Sequence, residues 1–580
     1  MAAQDLSAFL QWAHENNIEW DKDAIEIREG KHGLGVYAKK DLDAGFELIQ
    51  VPKSIVLSEQ NSGIANLLEE EEIEGYVSLT LACLFELSLG SASNWSAYLA
   101  LLNNRRPQMA GDLPEDARQL MKKSEVYGDI ETDLKDMQED FDKIVVPFLE
   151  KHPDVFTTEI VTKFFSYEEF KTMAWHVSSR AMDVDNYHVS ALVPFADFVN
   201  HNSEPNSDYL THEDVCEICG ALSCEHLDEL DDDEDEDEVP ELESAVAKKK
   251  RAAAKKSEAN GDDEDTENDD DDDADWEDED INDTCDIILD EDVKKGEEIT
   301  RHYGPFPNKI FLSKYGFAVV DNPDDTVSIQ LEAVKTAAGG ILSDSSVLEE
   351  RVQWFLDTED VFIGEDDDDE DDMEDCCDGE HDHDHDHDHS HKHKKAKDAA
   401  ASEDADEEGD DVEEEDDDED FPRDIMYIMH DGSIDDRLLM LLNVIFMEKE
   451  QFAKVQESME VATEYFNDIF LRRALEEDLA IDGAEEDDEE EEDDEKPEIK
   501  PLDEAGRKVR KSVLEALLQV LRLRADAFGV SDATTAEEDL EALNKSGLTG
   551  LQFYGSVCVQ GEKQILQNSL KMHSKLISEL

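Results

Sequence analysis

The stretch Gly296-Glu297-Glu298-Ile299-Thr300-Arg301-His302-Tyr303-Gly304 reads as a turn, a short strand and a tyrosine carried onto a glycine bend. Lys295-Gly296 is the turn signal, and it is flanked by two strand-like runs, Asp286-Ile287-Ile288-Leu289 and Glu298-Ile299-Thr300. A tyrosine at the end of a strand is generally a packing residue with a satisfied hydroxyl. The meaning of Tyr303 therefore depends on what the rest of the chain places around it.

Working outward, Ile25 to Leu57 also reads as short strands: Ile25 to Ile27, a turn from Gly30 to Gly35, Val36 to Ala38, and Phe46 to Val51 before Pro52. From 75 to 180 the apolar spacing becomes helical, as in Leu81, Leu84 and Phe85 or Val161, Phe164 and Phe165. Strand-like and irregular segments return from Leu192 to Tyr209 and from Thr284 to Ala318. The β body is thus expected to be split by a helical insertion. An N-terminal helix over 1–24 is expected from Leu6, Phe9, Leu10 and Trp12. The region 325–580 is expected to form an all-α C-terminal domain, with helical spacing at Leu438, Leu441, Leu442 and Ile445 and again at Val513, Leu517, Leu518 and Leu521. The fold class expected is α+β, with no internal repeat.

The 580 residues carry a formal net charge of −104, with 36% of residues charged. The acid concentrates near 228 to 283, 365 to 420 and 483 to 500, tracts too poor in apolar residues to offset chain entropy, so disordered insertions are expected there. The remainder, on the order of 400 residues, suffices for two or three domains. So anionic a chain is expected to avoid direct nucleic-acid contact and to attract basic protein partners through long-range, salt-sensitive forces. Eight cysteines without an export signal point to a reducing compartment, and no stretch reads as a membrane span. A cytoplasmic or nuclear monomer is expected. Lys248-Lys249-Lys250-Arg251, followed by Lys255-Lys256, reads equally as a nuclear import signal or as local charge balance.

Four local signals carry chemistry only together. Gly33-Leu34-Gly35 is more often an ordinary tight turn, Asn200-His201-Asn202-Ser203-Glu204-Pro205-Asn206 contains a pair that is usually structural, and Tyr315-Gly316-Phe317 alone decides nothing. Their order, with the Tyr303 stretch between the last two, resembles that of the SET-domain methyltransferases, over roughly Ile25 to Val320. The resemblance implies a SET catalytic domain over 25–320, interrupted by the helical insertion 75–180 and by a Cys/His-containing and acidic insertion over 210–283. It implies that strands from both sides of the insertion knot together, that S-adenosylmethionine binds on one face, and that the target side chain enters by a channel from the other. Carried over by position, His32, Gly33, Leu34, Gly35, Asn200 and His201 face the cofactor, with Arg180, Tyr303, Tyr315 and Phe317 beside it. Tyr303 matches the catalytic tyrosine, and Tyr209 and Tyr315 match aromatics of the target channel. Asp197 is placed with the substrate.

Ser203 stands where many histone-directed members have a cysteine, and no cysteine follows Tyr315 until Cys376. The long insertion and helical C-terminal region instead resemble the Rubisco large-subunit methyltransferase type, whose C-terminal helices help to bind protein substrates. Within it the chain looks closest to fungal enzymes that methylate lysines of large-subunit ribosomal proteins. The resemblance thus implies a protein-lysine N-methyltransferase. A histidine-directed enzyme and a non-catalytic acidic chaperone on the same scaffold are the alternatives. A lysine amine attacks only when neutral, and its ordinary pKa is about 10.4, so the site must favour deprotonation.

Two features lie outside that pattern. Cys216, Cys219, Cys224 and His226 have chelating spacing that favours structural zinc over a loop of reduced thiols. The seven histidines from His381 to His393, next to Cys376-Cys377, read as a solvated low-complexity tract rather than a metal site.

Overall fold

The computed structural model describes residues 2–31, 33–224, 226, 283–342, 344–362, 423–480, 502–528 and 534–580. His32, the Lys248 run, most of the first acidic tract, the 365–420 and 483–500 tracts and the His381–His393 segment lie outside the described residues. The chain divides into two compact units, Met1–Val327 with Ile428–Ser433 and Leu523–Leu570, and Ser328–Tyr427 with Ile434–Arg522 and Lys571–Leu580.

The framework of the first unit is made of short strands: β1 Glu19–Trp20, β2 Ile25–Gly30, β3 Gly33–Ala38, β4 Glu47–Pro52, β5 Ala181–Asp185, β6 Val189–Leu192, β7 Asn200–His201, β8 Ser207–Leu210, β9 Thr284–Leu289 and β10 Glu298–Arg301. They form two four-stranded sheets, ordered β1-β4-β9-β8 and β2-β3-β10-β7, and a β5-β6 hairpin. In β2, Ile25 and Ile27 are buried while Glu26 and Arg28 face solvent, the alternation of a half-covered strand. β9 is buried from Cys285 to Leu289 because strands flank it on both sides.

The insertion of β10 decides where the site lies. Ile299 pairs antiparallel with Val36 of β3, and Thr300 and Arg301 pair in parallel with Asn200 and His201 of β7. One strand thereby joins the Gly-x-Gly segment to the Asn-His pair. β9 likewise pairs Cys285 with Val51 of β4 and Ile287 with Tyr209 of β8. Both sheets combine strands from before and after the helical insertion, as the split pattern in the sequence implied.

Helices occupy most of 65–180. The last of them, Tyr167–Arg180, starts at Ser166, whose hydroxyl accepts the Glu169 amide at 3.3 Å. It buries Phe170, Met173, Ala174 and Val177, spaced i, i+3, i+4 and i+7, and so carries Arg180 on its final turn to a fixed place.

Four details depart from the sequence expectations. The N-terminal helix stops at Glu15, Asn17 adopts φ +60°, and the chain re-enters the sheet as β1. One segment among the described residues, Gly75–Ala92, is long and apolar enough to cross a membrane, with mean hydropathy 1.3. Half of it is buried, and the helix Gly75–Leu89 packs on the helices Ser96–Asn103 and Tyr167–Arg180 with Val77, Leu81 and Leu84 in the core. The third and fourth departures are in the C-terminal region, which is not all-α, because Thr326–Gln330 and Ile425–Met429 pair as a two-stranded sheet. Val557 and Cys558, on the last helix, share a buried cluster with Ala110, Met121 and Leu312, so Leu523–Leu570 joins the first unit.

In the second unit, buried Arg351 donates to the Val444 and Ile445 carbonyls, at 3.2 and 2.5 Å, satisfying the end of the helix Asp436–Phe446. Asp435 caps the other end by accepting the Leu438 amide at 2.8 Å, and Arg437 forms a bidentate pair with buried Glu359.

Candidate active site

Tyr303 follows β10 directly, so its position is set by the pairing of Arg301 with His201. Its amide donates to His201 Nδ1 at 3.2 Å and its hydroxyl donates to the Val199 carbonyl at 3.1 Å. The phenol has spent its only proton on Val199, which leaves its oxygen lone pairs free to accept. Burial raises the Tyr303 pKa, so the hydroxyl stays protonated. The Tyr315 ring lies 5.2 Å from the Tyr303 ring, and the Arg301 guanidinium lies 4.5 Å from the Tyr303 ring centroid.

Tyr303, Tyr315, Tyr209, Arg301 and Phe306 share a cavity of about 580 Å³ with Met182, Asp183, Ser190 and Glu213. Aromatic rings of Tyr209, Tyr303, Phe306 and Tyr315 and carboxylates of Glu59, Asp183 and Glu213 are all part of its lining. Tyr315 is held by the turn at Gly316, where φ is +79° and an added Cβ would lie 2.3 Å from the Gln108 carbonyl oxygen, so only glycine fits.

On the other side of β10 the Asn200 side chain donates to the Leu34 carbonyl at 3.2 Å and to Glu298 Oε1 at 2.7 Å. Gly35 leaves room for that approach, because a Cβ there would come within 2.4 Å of Glu298 Oε1 and 2.8 Å of Asn200 Nδ2 and would displace their side chains. The His201 ring stands 4.5 Å from Phe311 and 5.6 Å from Phe317. His201 Nε2 and Arg180 Nε are buried without a hydrogen-bond partner among the described residues, so each has unspent polar capacity for a ligand.

Burial, reinforced by His302 and Arg301, lowers the His201 pKa to about 4. The ring is therefore neutral at pH 7, as its acceptance of the Tyr303 amide requires. An unfolded histidine titrates near 6.5, so this stabilisation is complete above that pH and is lost as pH falls from there towards 4. Urea unfolding at pH 7 and pH 5 checks this. The wild type is expected to lose more stability over that interval than His201→Asn does.

The structure thus gathers Gly33, Leu34, Gly35, Asn200, His201, Tyr303, Tyr315, Phe317 and Tyr209 around β10. Asp197 departs from its expected channel position. It is buried behind the site, where Oδ2 accepts from the Tyr98 hydroxyl at 2.9 Å and from Arg180 Nη1 at 3.0 Å. Burial makes it a brace for Arg180 and leaves it no face on the cavity. Glu298, Arg301 and Phe306 were not singled out in the sequence. Glu298 and Arg301 lie inside the motif that ends in Tyr303, and that adjacency was the signal available for them. Cys216, Cys219, Cys224 and His226 do converge, their ligand atoms all within 4.8 Å of one another.

No protein-family model matches the chain. It is 28% identical over 380 residues to "Ribosomal lysine N-methyltransferase 3" of Saccharomyces cerevisiae, an alignment covering 60% of this chain and 68% of that protein. It is 31% identical over 223 residues to "N-lysine methyltransferase SETD6" of Mus musculus, covering 35% and 47%. The chain spans about half the length of that second relative. Among solved structures, the SET domain of LSMT bound to lysine and AdoHcy aligns with a TM-score of 0.56 at 14% identity, covering 100% of this chain and 92% of that one. Rubisco LSMT bound to AdoMet aligns with a TM-score of 0.54. The fold is that of a SET domain with a helical C-terminal region, and the resemblance read from the four motifs is borne out.

Proposed function

We propose that this chain is a protein-lysine N-methyltransferase that uses S-adenosylmethionine and acts on a basic, non-histone protein, a large-subunit ribosomal protein being the substrate favoured. The observation that carries the reading is the placement of β10. It holds Tyr303 at an aromatic cavity on one side and, on the other, joins the Gly33–Gly35 backbone to Asn200 and His201. The yeast and mouse relatives are named as lysine methyltransferases, and the yeast name supports the ribosomal substrate.

The residues fit such a donor. The backbone of Gly33 to Gly35, Asn200, His201, Arg180 and Phe317 would hold it, with the unpartnered His201 Nε2 and Arg180 Nε among the polar groups to be satisfied. S-adenosylmethionine, when bound, supplies an electrophilic methyl group on a sulfonium sulfur. The chain's own groups do the rest by positioning. The Tyr303 oxygen can accept an N–H of the incoming amine, turning its lone pair, while Tyr315 and Phe306 exclude water from the aliphatic stem. Arg301 over Tyr303 disfavours an ammonium there, which helps the amine arrive neutral. Asp183 and Glu213 suit a positively charged target approaching from solvent.

The test is transfer of radiolabel from S-adenosylmethionine to purified large-subunit ribosomal proteins, with the modified residue located by mass spectrometry. Label on lysine supports the reading. Label on histidine, or basic-protein binding without any label, replaces it with one of the two alternatives.

A further inference from the structure

Beyond the end of β8, Cys216, Cys219, Cys224 and His226 are preassembled for a metal. Tetrahedral bonds of about 2.3 Å to thiolate and about 2.0–2.1 Å to imidazole put sulfur and nitrogen roughly 3.6 Å apart. Cys216 Sγ and Cys224 Sγ lie 3.6 and 3.7 Å from His226 Nδ1. The backbone is shaped to match. The Cys219 and Gly220 amides both return to the Cys216 carbonyl, at 3.3 and 2.7 Å, the Cys216 amide donates to Ala221 at 3.0 Å, and Gly220 takes φ +68°. The three cysteines are free thiols, so no disulfide accounts for their convergence.

We propose that these four side chains bind one zinc ion, and that the ion fixes the shape of the loop after β8, whose protein contacts to the β5-β6 turn make it one wall of the Tyr303 cavity. Three thiolates and an imidazole close the tetrahedron and leave no open position, so the site is structural. The loop touches that turn directly. The Asn186 amide donates to the Glu213 carbonyl at 3.1 Å, and Gly220 sits so close to Tyr187 that an added Cβ would lie 2.7 Å from the ring. Lys53 links the two, donating to the His212 carbonyl at 2.5 Å and pairing with buried Asp185 at 2.8 Å. Glu213 from the segment, and Asp183, His188 and Ser190 from the hairpin, line the cavity. The metal site stands independently of the methyltransferase reading, whereas the wall's effect on target binding rests on it.

The experiment compares the full chain, purified untagged and without chelator, with a Cys216→Ser/Cys219→Ser variant by elemental analysis. The variant is expected to hold one zinc fewer per chain, a difference that cancels any metal held elsewhere. Replacement of zinc by Co²⁺ in the wild type is expected to give the intense d–d bands and thiolate charge-transfer bands of a tetrahedral sulfur-rich site. Should the variant fail to fold, alkylation of the wild type gives the answer. Exposed Cys219 is expected to resist alkylation until a chelator is added. Equal zinc in wild type and a folded variant, or immediate alkylation of Cys219, overturns the site. Where methylation is measurable, the zinc-free chain is expected to show at least a several-fold higher KM for the target protein with S-adenosylmethionine affinity unchanged. An unchanged target KM overturns the wall role.

Discussion

Tyr303→Phe is expected to lower the methyl-transfer rate constant on the order of 100-fold, while S-adenosylmethionine affinity stays within about twofold. The substitution removes one hydroxyl from a ring fixed by Tyr315, Arg301 and His201, so the cavity keeps its shape. Two things are lost. The Val199 carbonyl loses its donor, which costs roughly 1 kcal/mol of stability. The incoming amine loses the acceptor that would turn its lone pair. The second loss matters only when the amine is aligned for attack, so it appears in the rate rather than in donor binding. Single-turnover rates at saturating target, beside calorimetric titration of the donor, separate the two. A rate within about threefold of wild type would remove Tyr303 from the reaction centre, because a packing tyrosine has no such selective effect.

The pH profile of that rate is part of the same argument. Burial raises the Tyr303 pKa, so the phenol does not ionise to serve as a base near neutrality. The rising limb of the profile should then report the target amine, and Tyr303→Phe should leave its position unchanged.

How much of this was legible in the sequence follows from where each signal is stored. The strand segments around Val36, Ile49, Ile287 and Ile299 carry their own periodicity and turns, and they appear within a few residues of where the sequence put them. Which strands pair is not a local property. Only the structure places Ile299 opposite Val36 and Thr300 beside Asn200, and the motif order stood in for that knowledge. Side chains whose role depends on partners in distant segments were the ones misplaced or missed. Asp197 reads as a polar residue before a motif, yet Tyr98 lies 99 residues away and turns it into part of a buried brace. The last helix has ordinary amphipathic spacing, and nothing in that spacing says that Val557 and Cys558 pack with Met121 and Leu312.

That brace gives the largest expected effect on stability. Asp197 is wholly buried, and its Oδ2 receives both the Tyr98 hydroxyl and Arg180 Nη1, while the Arg180 fork also donates to the Asp197 carbonyl at 3.1 Å. Removing the carboxylate by Asp197→Ala leaves the Arg180 guanidinium without its counter-charge and the buried Tyr98 phenol without its acceptor, and breaking such a pair costs about 3–5 kcal/mol. Arg180 keeps 26% side-chain exposure, which lets water screen part of the stranded charge and favours the lower end, about 3 kcal/mol. Tyr98→Phe removes one hydrogen bond to a charged acceptor and should cost about 1.5–3 kcal/mol. Arg180→Ala added to Asp197→Ala should cost less than the two single changes together, since the stranded charge is then gone. Urea midpoints for the wild type and the four variants test the set. Strict additivity of Arg180→Ala and Asp197→Ala would mean the pair contributes no coupling, and Arg180 would then owe its place to the packing of Phe170, Met173 and Val177 on its own helix.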